Sequence, residues 1–455
     1  MRLIEEYRKQ FIFILLGLLV FLFPIFKAPY YLLALIFLIA GILLLIIPSG
    51  SAFFNYLARE SDAKAGKLIT MIQLFLTTAI LILISSMTGT EKFPLFIIGS
   101  AFAITTFGDG IADIINIIEK ERQQTTDNKQ VYSKVYSAKS SIVFLISGSF
   151  FAFISGAWIS GFTSTVPVGM LVFLSVIGAL TGALLESMTP RNEDNIIIPF
   201  GSAMVMWLFY MFGYNVDTIY LLKVLAFSFF LGYLSFRVRI ADISAMLSAT
   251  LMGVVIIVSS DINWFFILLA FFLLGSMFTR YKYNFKLAHG TAEGKSGVRG
   301  YKNVFSNSLA ALVLAIAYGV FPSHAAVLMA AYLGSVATAC GDTLASEIGQ
   351  TFKGEPRMIT TLKKAKRGTD GAVSWLGEGA ALFGSLAIAV LAYVLIQQDM
   401  VLLLVVTAGG FIGTNIDSAL GATFQQKGYL SNNGVNLFAT VLGAIVTGLI
   451  YGLVV

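Results

Sequence analysis

The chain has 455 residues, of which 57% are hydrophobic and only 12% are charged. Soluble globular chains carry roughly 25% charged residues, so this composition excludes an ordinary soluble enzyme and indicates apolar surfaces that face lipid. The net charge is only +6, and the single cysteine, Cys340, excludes a disulfide framework and a cysteine-based zinc site.

Fifteen mostly apolar segments follow one another along the chain, each long enough to cross a bilayer as a helix. The first seven are predicted near 10–26, 30–48, 67–88, 94–118, 139–160, 166–187 and 195–213, and an eighth covers 218–236. The last seven are predicted near 241–259, 262–279, 303–320, 323–349, 371–396, 399–422 and 435–454. The sequence therefore predicts an all-α polytopic membrane protein with about 15 transmembrane helices.

The distribution of positive charge predicts the orientation of these helices. If the N-terminus is cytoplasmic, the cytoplasmic segments hold 27 of the 30 Lys and Arg residues, and only Lys27, Lys92 and Lys223 lie elsewhere. Cytoplasmic loops of membrane proteins carry an excess of Lys and Arg. We therefore expect an integral membrane protein with a cytoplasmic N-terminus and an external C-terminus.

Three landmarks recur in the same order in the two halves of the chain. The segment 107–114 (FGDGIADI) recurs as 340–348 (CGDTLASEI), at an offset of 233, and Glu186-Ser187 matches Asp417-Ser418 at an offset of 231. A basic loop follows each Gly-Asp motif, at 134–139 and at 363–367. We predict two seven-helix repeats, 1–217 and 239–455, joined by a linker helix at 218–238. The linker restores the direction of the chain, so the repeats are parallel and both motifs face the cytoplasm.

Acidic side chains within the predicted spans mark a candidate site, because charges in a membrane are costly and usually line a cavity. Asp342 lies about seven residues before the end of its span, roughly 10 Å deep at 1.5 Å per residue. Mg²⁺ prefers one or two carboxylates together with phosphate oxygens, which makes Asp342, Asp417 and Asp109 the predicted metal ligands. The candidate catalytic acids are Asp342, Glu347 and Asp417 in the second half, and Asp109, Asp113 and Glu186 in the first.

The loop after the second Gly-Asp motif is suited to phosphate. Lys363, Lys366 and Arg367 supply positive charge there, and glycines and threonines precede the next span, whose first amides also favour phosphate. The chain contains no GxxxxGK[ST] motif, so a nucleotide would be bound in another way.

The second half, about 239–455, resembles the family of transmembrane protein 19 and plant phytyl-phosphate kinase. The residues that carry the resemblance are Arg299-Gly300 through Asn307, Gly341 through Gly349, Ile359-Thr360-Thr361, Arg367 through Gly371, and Asp417-Ser418 with Asn432, Asn433 and Asn436. The first half resembles phytol kinase and, more distantly, dolichol kinase and CDP-diacylglycerol synthase. Its matches are Arg8-Lys9, Gly108-Asp109-Gly110 with Ala112-Asp113, Lys139-Ser140, Glu186, Asp194-Asn195 and Pro199, and it departs from these relatives at Ile12 and Asn116.

The resemblance implies CTP-dependent, Mg²⁺-assisted phosphorylation of a long-chain isoprenoid alcohol or its monophosphate, in two successive steps if both halves are active. The expected partners are a lipid substrate and a nucleotide. The residues expected to bind phosphate or nucleotide are Arg299, Asn307, Thr360, Lys363, Lys366, Arg367, Thr369, Asp370, Asn432, Asn436, Lys139, Asp194 and Asn195.

Two other functions fit the same residues. A cytidylyltransferase acting on a lipid phosphate would use similar groups but release pyrophosphate. A secondary transporter with parallel repeats is the alternative outside enzymology. Transporter sites lie near the middle of the bilayer, whereas the acids here lie near the predicted cytoplasmic ends of their helices.

Overall fold

The computed structural model of the protein describes residues 2–126, 137–188, 193–291 and 298–455. Within these ranges the chain is nearly all helical, and thirteen helices are long and apolar enough to cross a membrane. Two shorter apolar helices, Tyr31–Ile46 and Ile243–Ser259, lie where two further spans are predicted. The prediction of an all-α polytopic membrane protein is confirmed.

The chain forms two compact units, Met1–Leu222 and Lys223–Val455. The helices that begin in the first unit are α1 Arg2–Leu16, a 3₁₀ segment Gly17–Ile25, α2 Tyr31–Ile46, α3 Ala52–Leu57, α4 Glu60–Ala65, α5 Ile69–Thr88, α6 Leu95–Ala103, a π-helical segment Ile104–Asp109, α7 Gly110–Thr126, α8 Ala138–Thr163, α9 Val168–Met188, α10 Asp194–Met211 and α11 Thr218–Arg237. The second unit begins within α11.

The second unit continues with α12 Ile243–Ser259, α13 Ile262–Arg280, α14 Tyr283–Ala288, α15 Tyr301–Val320, a 3₁₀ turn Pro322–His324 and α16 Ala325–Gly349. Strands β1 Arg357–Met358 and β2 Ala372–Val373 then pair antiparallel, with Arg357 opposite Val373. The chain ends with α17 Trp375–Leu395, α18 Met400–Leu420, a π-helical segment Gly421–Gln425 and α19 Asn432–Val454.

Helix α16 lies at the centre of the second unit and packs against α13, α15, α17, α18 and α19. Small residues allow this close packing. A Cβ atom on Gly384 of α17 would lie 3.0 Å from Cα of Gly341 on α16, and a Cβ atom on Gly443 of α19 would lie 2.0 Å from Oγ1 of Thr338 on α16. These contacts fix the last turns of α16, which carry Asp342, against their neighbours.

In the first unit, α8 packs closely on the π-helical segment Ile104–Asp109. A Cβ atom on Gly108 would lie 3.3 Å from Cα of Gly148 on α8, and a Cβ atom on Gly148 would lie 3.3 Å from Cβ of Ala179 on α9. The Gly-Asp motif is thus held where α8 and α9 approach it.

The parallel repeat and the cytoplasmic orientation stay predictions. Lys134 of the first basic loop lies outside the described residues.

Candidate functional site

A polar cavity of about 230 Å³ lies at one end of the second unit. It is lined by α15, α16, α17, α18 and α19 and by the loop that precedes α17. Nine residues that the sequence analysis singled out line it: Arg299, Asn307, Asp342, Arg367, Thr369, Asp370, Asp417, Asn432 and Asn436.

Three helices begin at this cavity, and their first residues contribute to its wall. Helix α15 contributes Asn303 from its first turn, α17 its N-cap Ser374, and α19 its first residue Asn432. Oγ of Ser374 accepts a hydrogen bond from the backbone N–H of Gly377 at 3.1 Å. Helix N-termini carry a partial positive charge, so the cavity favours an anionic group such as phosphate.

Two carboxyl groups meet in the cavity. Asp342 of α16 and Asp417 of α18 lie within hydrogen-bonding reach of each other, and the charge of Asp370 acts on Asp417. Oδ2 of Asp417 is buried and has no hydrogen-bond partner among the described residues. Two carboxylates this close repel unless a proton or a cation lies between them. The donor set fits a hard cation such as Mg²⁺, which Asp342 and Asp417 could hold.

The positions of these acids follow from the packing beneath them. A Cβ atom on Gly341 would lie 2.6 Å from Oγ1 of Thr414 on α18, and Oγ1 of Thr414 donates to the carbonyl of Gly410. Helices α16 and α18 are therefore in close contact next to Asp342 and one turn before Asp417. This contact brings the two carboxyl groups together from positions 75 residues apart in the sequence.

Two arginines line the same cavity. The guanidinium of Arg299 lies 5.9 Å from the ring centres of Phe271 and Phe272, in a space that Gly275 leaves open. The guanidinium of Arg367 lies over the ring of Phe285 at 5.3 Å and donates to the backbone carbonyl of Phe352. Nε of Arg367 is buried without a hydrogen-bond partner in the part of the chain that the structure describes. Both side chains suit phosphate oxygens, which accept several N–H bonds from one guanidinium.

The loop before α17 is fixed by Gly371 and by residues that follow α18. Gly371 has a φ of 75°, and a Cβ atom there would lie 2.4 Å from the backbone nitrogen of Ala422. Only glycine fits this conformation and this contact. Nε2 of Gln426 donates to the carbonyl of Asp370 at 2.8 Å. These contacts place Thr369 and Asp370 in the cavity wall.

Four other predicted residues of the second half lie outside the cavity. Glu347 is buried and pairs with Lys286, while Thr360, Lys363 and Lys366 are exposed on the loop. The neighbouring Lys364 pairs with Glu355 at 2.6 Å, and this hydrogen bond lowers the pKa of the Glu355 carboxyl. Lys363, Lys364 and Lys366 therefore lie on the exposed side of the loop, whereas Arg367 lines the cavity.

In the first unit, three predicted acids come together. Carboxylate oxygens of Asp109, Asp113 and Glu186 lie within 4.8 Å of one another, and all three residues are buried. Nε2 of Gln10 donates to Asp113 at 3.0 Å, and Arg59 donates to Oε1 of Gln10 at 2.6 Å. The three carboxylates could hold a metal ion.

The remaining predicted residues of the first unit have different environments. Asp194 and Asn195 are buried in the first turn of α10, and Oδ1 of Asn195 has no hydrogen-bond partner in the described ranges. Lys139 is exposed, and its Nζ lies 3.5 Å from Oε1 of Glu119.

Several residues of these sites were not predicted from the sequence. Glu378 of α17 lines the second-unit cavity and accepts a hydrogen bond from Asn415 at 3.2 Å. Its position as an acid within an apolar span was a usable signal. Gln10 and Arg59 of the first-unit cluster gave no such signal, because their contacts join residues at least 49 positions apart.

Comparison with known proteins places the second unit in a family. The family described as integral membrane protein DUF92 matches residues 226–444. An uncharacterised membrane protein of Methanocaldococcus jannaschii is 35% identical over 213 residues, which cover 47% of this chain and 87% of the relative. An uncharacterised membrane protein of Synechocystis is 38% identical over 201 residues, which cover 44% of this chain and 78% of the relative.

A plant protein is also related. The chloroplastic protein VTE6 of Arabidopsis thaliana is 34% identical over 188 residues, which cover 40% of this chain and 56% of VTE6. No solved structure matches the chain. Because the aligned segments cover most of the archaeal and cyanobacterial relatives, the chain belongs to the DUF92 family of integral membrane proteins.

Proposed function

We propose that the cavity of the second unit transfers a phosphoryl group from a nucleoside triphosphate, CTP in the first instance, to the phosphate of a long-chain isoprenoid. The observation that carries the proposal is the meeting, in one cavity, of the Asp342–Asp417 carboxyl pair with Arg299 and Arg367. Phosphoryl transfer requires little covalent chemistry from the protein and depends on positioning and on neutralising charge. The cavity supplies both.

The proposed reaction uses these groups as follows. An oxygen of the acceptor phosphate attacks the γ-phosphorus, the bond from that phosphorus to the β-bridging oxygen breaks, and the nucleoside diphosphate leaves. Arg299, Arg367 and the helix N-termini would hold the phosphate chain in line. Asp342 and Asp417 would hold Mg²⁺, which when bound neutralises the charge that develops on the phosphate oxygens.

An amphiphilic acceptor suits the position of the cavity. Trp375, the first residue of α17 and next to the cavity-lining Ser374, is 88% exposed, and Tyr429 before α19 is 74% exposed. Exposed Trp and Tyr side chains at helix ends are typical of the membrane–water boundary. A lipid whose phosphate lies at this boundary would reach the cavity with its chain among the apolar helices. The resemblance to plant phytyl-phosphate kinase supports the same acceptor.

We further propose that the buried cluster of Asp109, Asp113 and Glu186 serves the preceding step, phosphorylation of the isoprenoid alcohol. An alcohol loses its proton on phosphorylation, and a carboxylate of the cluster would accept it. The close approach of the three carboxylates and the resemblance of the first half to phytol kinase support this assignment.

The test uses the purified full-length protein in detergent with Mg²⁺, geranylgeranyl phosphate, and CTP labelled at either the α or the γ phosphate. We expect the γ label to enter geranylgeranyl diphosphate. Asp342→Asn should lower this rate at least about 100-fold, because the charge of the transferred group is then poorly neutralised. Lys353→Gln, at an exposed position of the loop after α16 that does not line the cavity, is the control and should retain the rate.

Two results would overturn the proposal. Entry of the α label into lipid would indicate cytidylyl transfer. No labelled lipid with CTP or ATP, from protein that elutes as a folded species, would leave transport as the better explanation.

A further inference from the structure

Four asparagine side chains line the second-unit cavity from two helices. Asn303 and Asn307 belong to α15, and Asn432 and Asn436 belong to α19. In each pair the residues are four positions apart, so the two amides share one face of their helix. Nδ2 of Asn436 donates to Oδ1 of Asn307 at 3.4 Å, which joins the two faces. We refer to these four residues as the amide wall.

Asn307 organises the amide wall from within. It is buried, and its Nδ2 donates to the carbonyl of Asn303 at 2.9 Å and to Oγ of Ser306 at 3.3 Å. Its Oδ1 receives the bond from Asn436. The amide of Asn307 is therefore engaged with the protein, and Asn303, Asn432 and Asn436 are the members that a ligand would contact.

The four residues of the amide wall carry no charge, and the carboxylates of the cavity lie outside the wall. The carboxylates come from other elements: Asp342 from α16, Asp417 from α18, Glu378 from α17, and Asp370 from the loop before α17. A triphosphate with its cation matches the charged side of the cavity. The amide wall requires a neutral polar group.

The hydrogen-bond donors and acceptors of an amide match some parts of the proposed substrates better than others. An Asn side chain offers two N–H donors and an acceptor oxygen. Phosphate oxygens only accept hydrogen bonds, so they leave the amide oxygens unsatisfied, and an isoprenoid chain neither donates nor accepts. A nucleobase edge or a ribose hydroxyl does both, and Asn is a common partner of base edges in protein–nucleic acid complexes.

We infer that the amide wall binds the nucleoside part of the phosphate donor, through Asn303, Asn432 and Asn436, while Arg299 and Arg367 hold its phosphates. This inference rests on the proposed function, since it assigns one part of the donor to one side of the same cavity. It identifies a specificity-determining surface, and Asn307 is a positioning residue within it.

The test compares CTP with inorganic tripolyphosphate, which has the same phosphate chain and no nucleoside. Binding to the full-length protein with Mg²⁺ is measured from the ligand-dependent shift in thermal unfolding, which needs no turnover. The double variant Asn432→Ala with Asn436→Ala should weaken CTP binding at least about 10-fold, the value of one or two lost hydrogen bonds, and leave tripolyphosphate binding unchanged. Arg367→Gln should weaken both ligands.

Asn433→Ala is the matched control, because Asn433 lies in the same turn of α19 and does not line the cavity. It should bind both ligands as the wild type does. Equal loss of CTP and tripolyphosphate in the double variant, or no loss of either, would overturn the inference. Both outcomes leave the proposed function intact if the wild type transfers phosphate. A wild type that binds neither ligand and transfers no phosphate would contradict the proposed function itself.

Wild-type binding of 2′-deoxy-CTP and of ATP separates the two parts of the nucleoside. If the wild type binds 2′-deoxy-CTP more weakly than CTP and the double variant binds the two equally, the amide wall contacts the sugar. If the wild type binds ATP more weakly than CTP and the double variant binds the two equally, the amide wall contacts the base. If the double variant prefers CTP to 2′-deoxy-CTP and ATP as strongly as the wild type does, the amide wall does not contact the nucleoside.

Discussion

Gly275 determines where the Arg299 guanidinium lies. A Cβ atom at this position of α13 would lie 2.6 Å from Nη2 of Arg299 and 3.2 Å from Cγ2 of Thr343. Because the closest atom is the end of a flexible side chain, Gly275→Ala should leave the fold intact and move the guanidinium. We expect phosphoryl transfer to fall about 10- to 100-fold, since displacement of a positioning group by about 1 Å has effects of this size.

The control for this variant is Gly379→Ala on α17. That glycine is helical and has open space around the position of a Cβ atom. Transfer rates and unfolding midpoints of the two variants should be compared with the wild type. A Gly275→Ala protein with wild-type rate would show that Arg299 does not need its present position.

At the residue scale, the sequence predicted Asp342, Asp370 and Asp417 of the second-unit cavity, but it missed Glu378 and included Glu347, which lies outside. Asp342 and Asp417 were found because an acid in an apolar helix is costly without a function. Glu347 met the same criterion, yet it is about 140° around α16 from Asp342 at 3.6 residues per turn. Its partner Lys286 is 61 residues away, and only the tertiary structure brings them together.

One buried lysine of α14, Lys286, links this helix to α13 and α16. Nζ of Lys286 donates to the carbonyls of Phe278 and Thr279, at 3.1 and 2.8 Å, and to Glu347. Lys286→Met leaves the Glu347 carboxylate buried without its cation, which costs about 3–5 kcal/mol. We expect the midpoint of thermal unfolding in detergent to fall by roughly 10 °C.

The double variant Lys286→Met with Glu347→Leu removes both charges and should recover most of this loss. It also tests the predicted catalytic role of Glu347. Because Glu347 does not line the cavity, we expect the double variant to retain transfer activity. A stable but inactive double variant would instead support a chemical role for Glu347, and an unchanged midpoint in Lys286→Met would show that the ion pair contributes little.

At the element scale, apolar runs predicted the thirteen described helices that are long and apolar enough to cross a membrane, because such a length leaves a long and simple signal. At the two other predicted positions the helices are shorter, Tyr31–Ile46 and Ile243–Ser259. The same signal says nothing about the π-helical segments Ile104–Asp109 and Gly421–Gln425 or the short pairing of β1 with β2. These elements depend on local packing, such as the contact of Gly371 with Ala422. π-helical turns often occur at functional sites, and the first of these ends at Asp109.

At the scale of the whole molecule, each unit contains its own group of buried or cavity-lining acids. In the first unit they are Asp109, Asp113 and Glu186, and in the second they include Asp342 and Asp417. The sequence offset of 231 to 233 residues predicts that Asp109 corresponds to Asp342 and Glu186 to Asp417. Buried acids also serve as structural ties between helices, so the activity of each group needs its own test.

Single substitutions in each unit separate the two proposed steps. With geranylgeraniol as acceptor, Asp109→Asn should abolish formation of the monophosphate, because the three-carboxylate cluster loses a charged ligand. The same variant should still convert geranylgeranyl phosphate to the diphosphate at the wild-type rate. Asp342→Asn should give the opposite pattern, so that monophosphate accumulates from geranylgeraniol and no diphosphate forms. The measurement is separation of the labelled lipids after incubation with γ-labelled CTP and Mg²⁺.

If Asp109→Asn changes neither rate, the first unit has no catalytic role. If Asp342→Asn abolishes both products, the second-unit cavity performs both steps, and the acids of the first unit serve the packing of its helices.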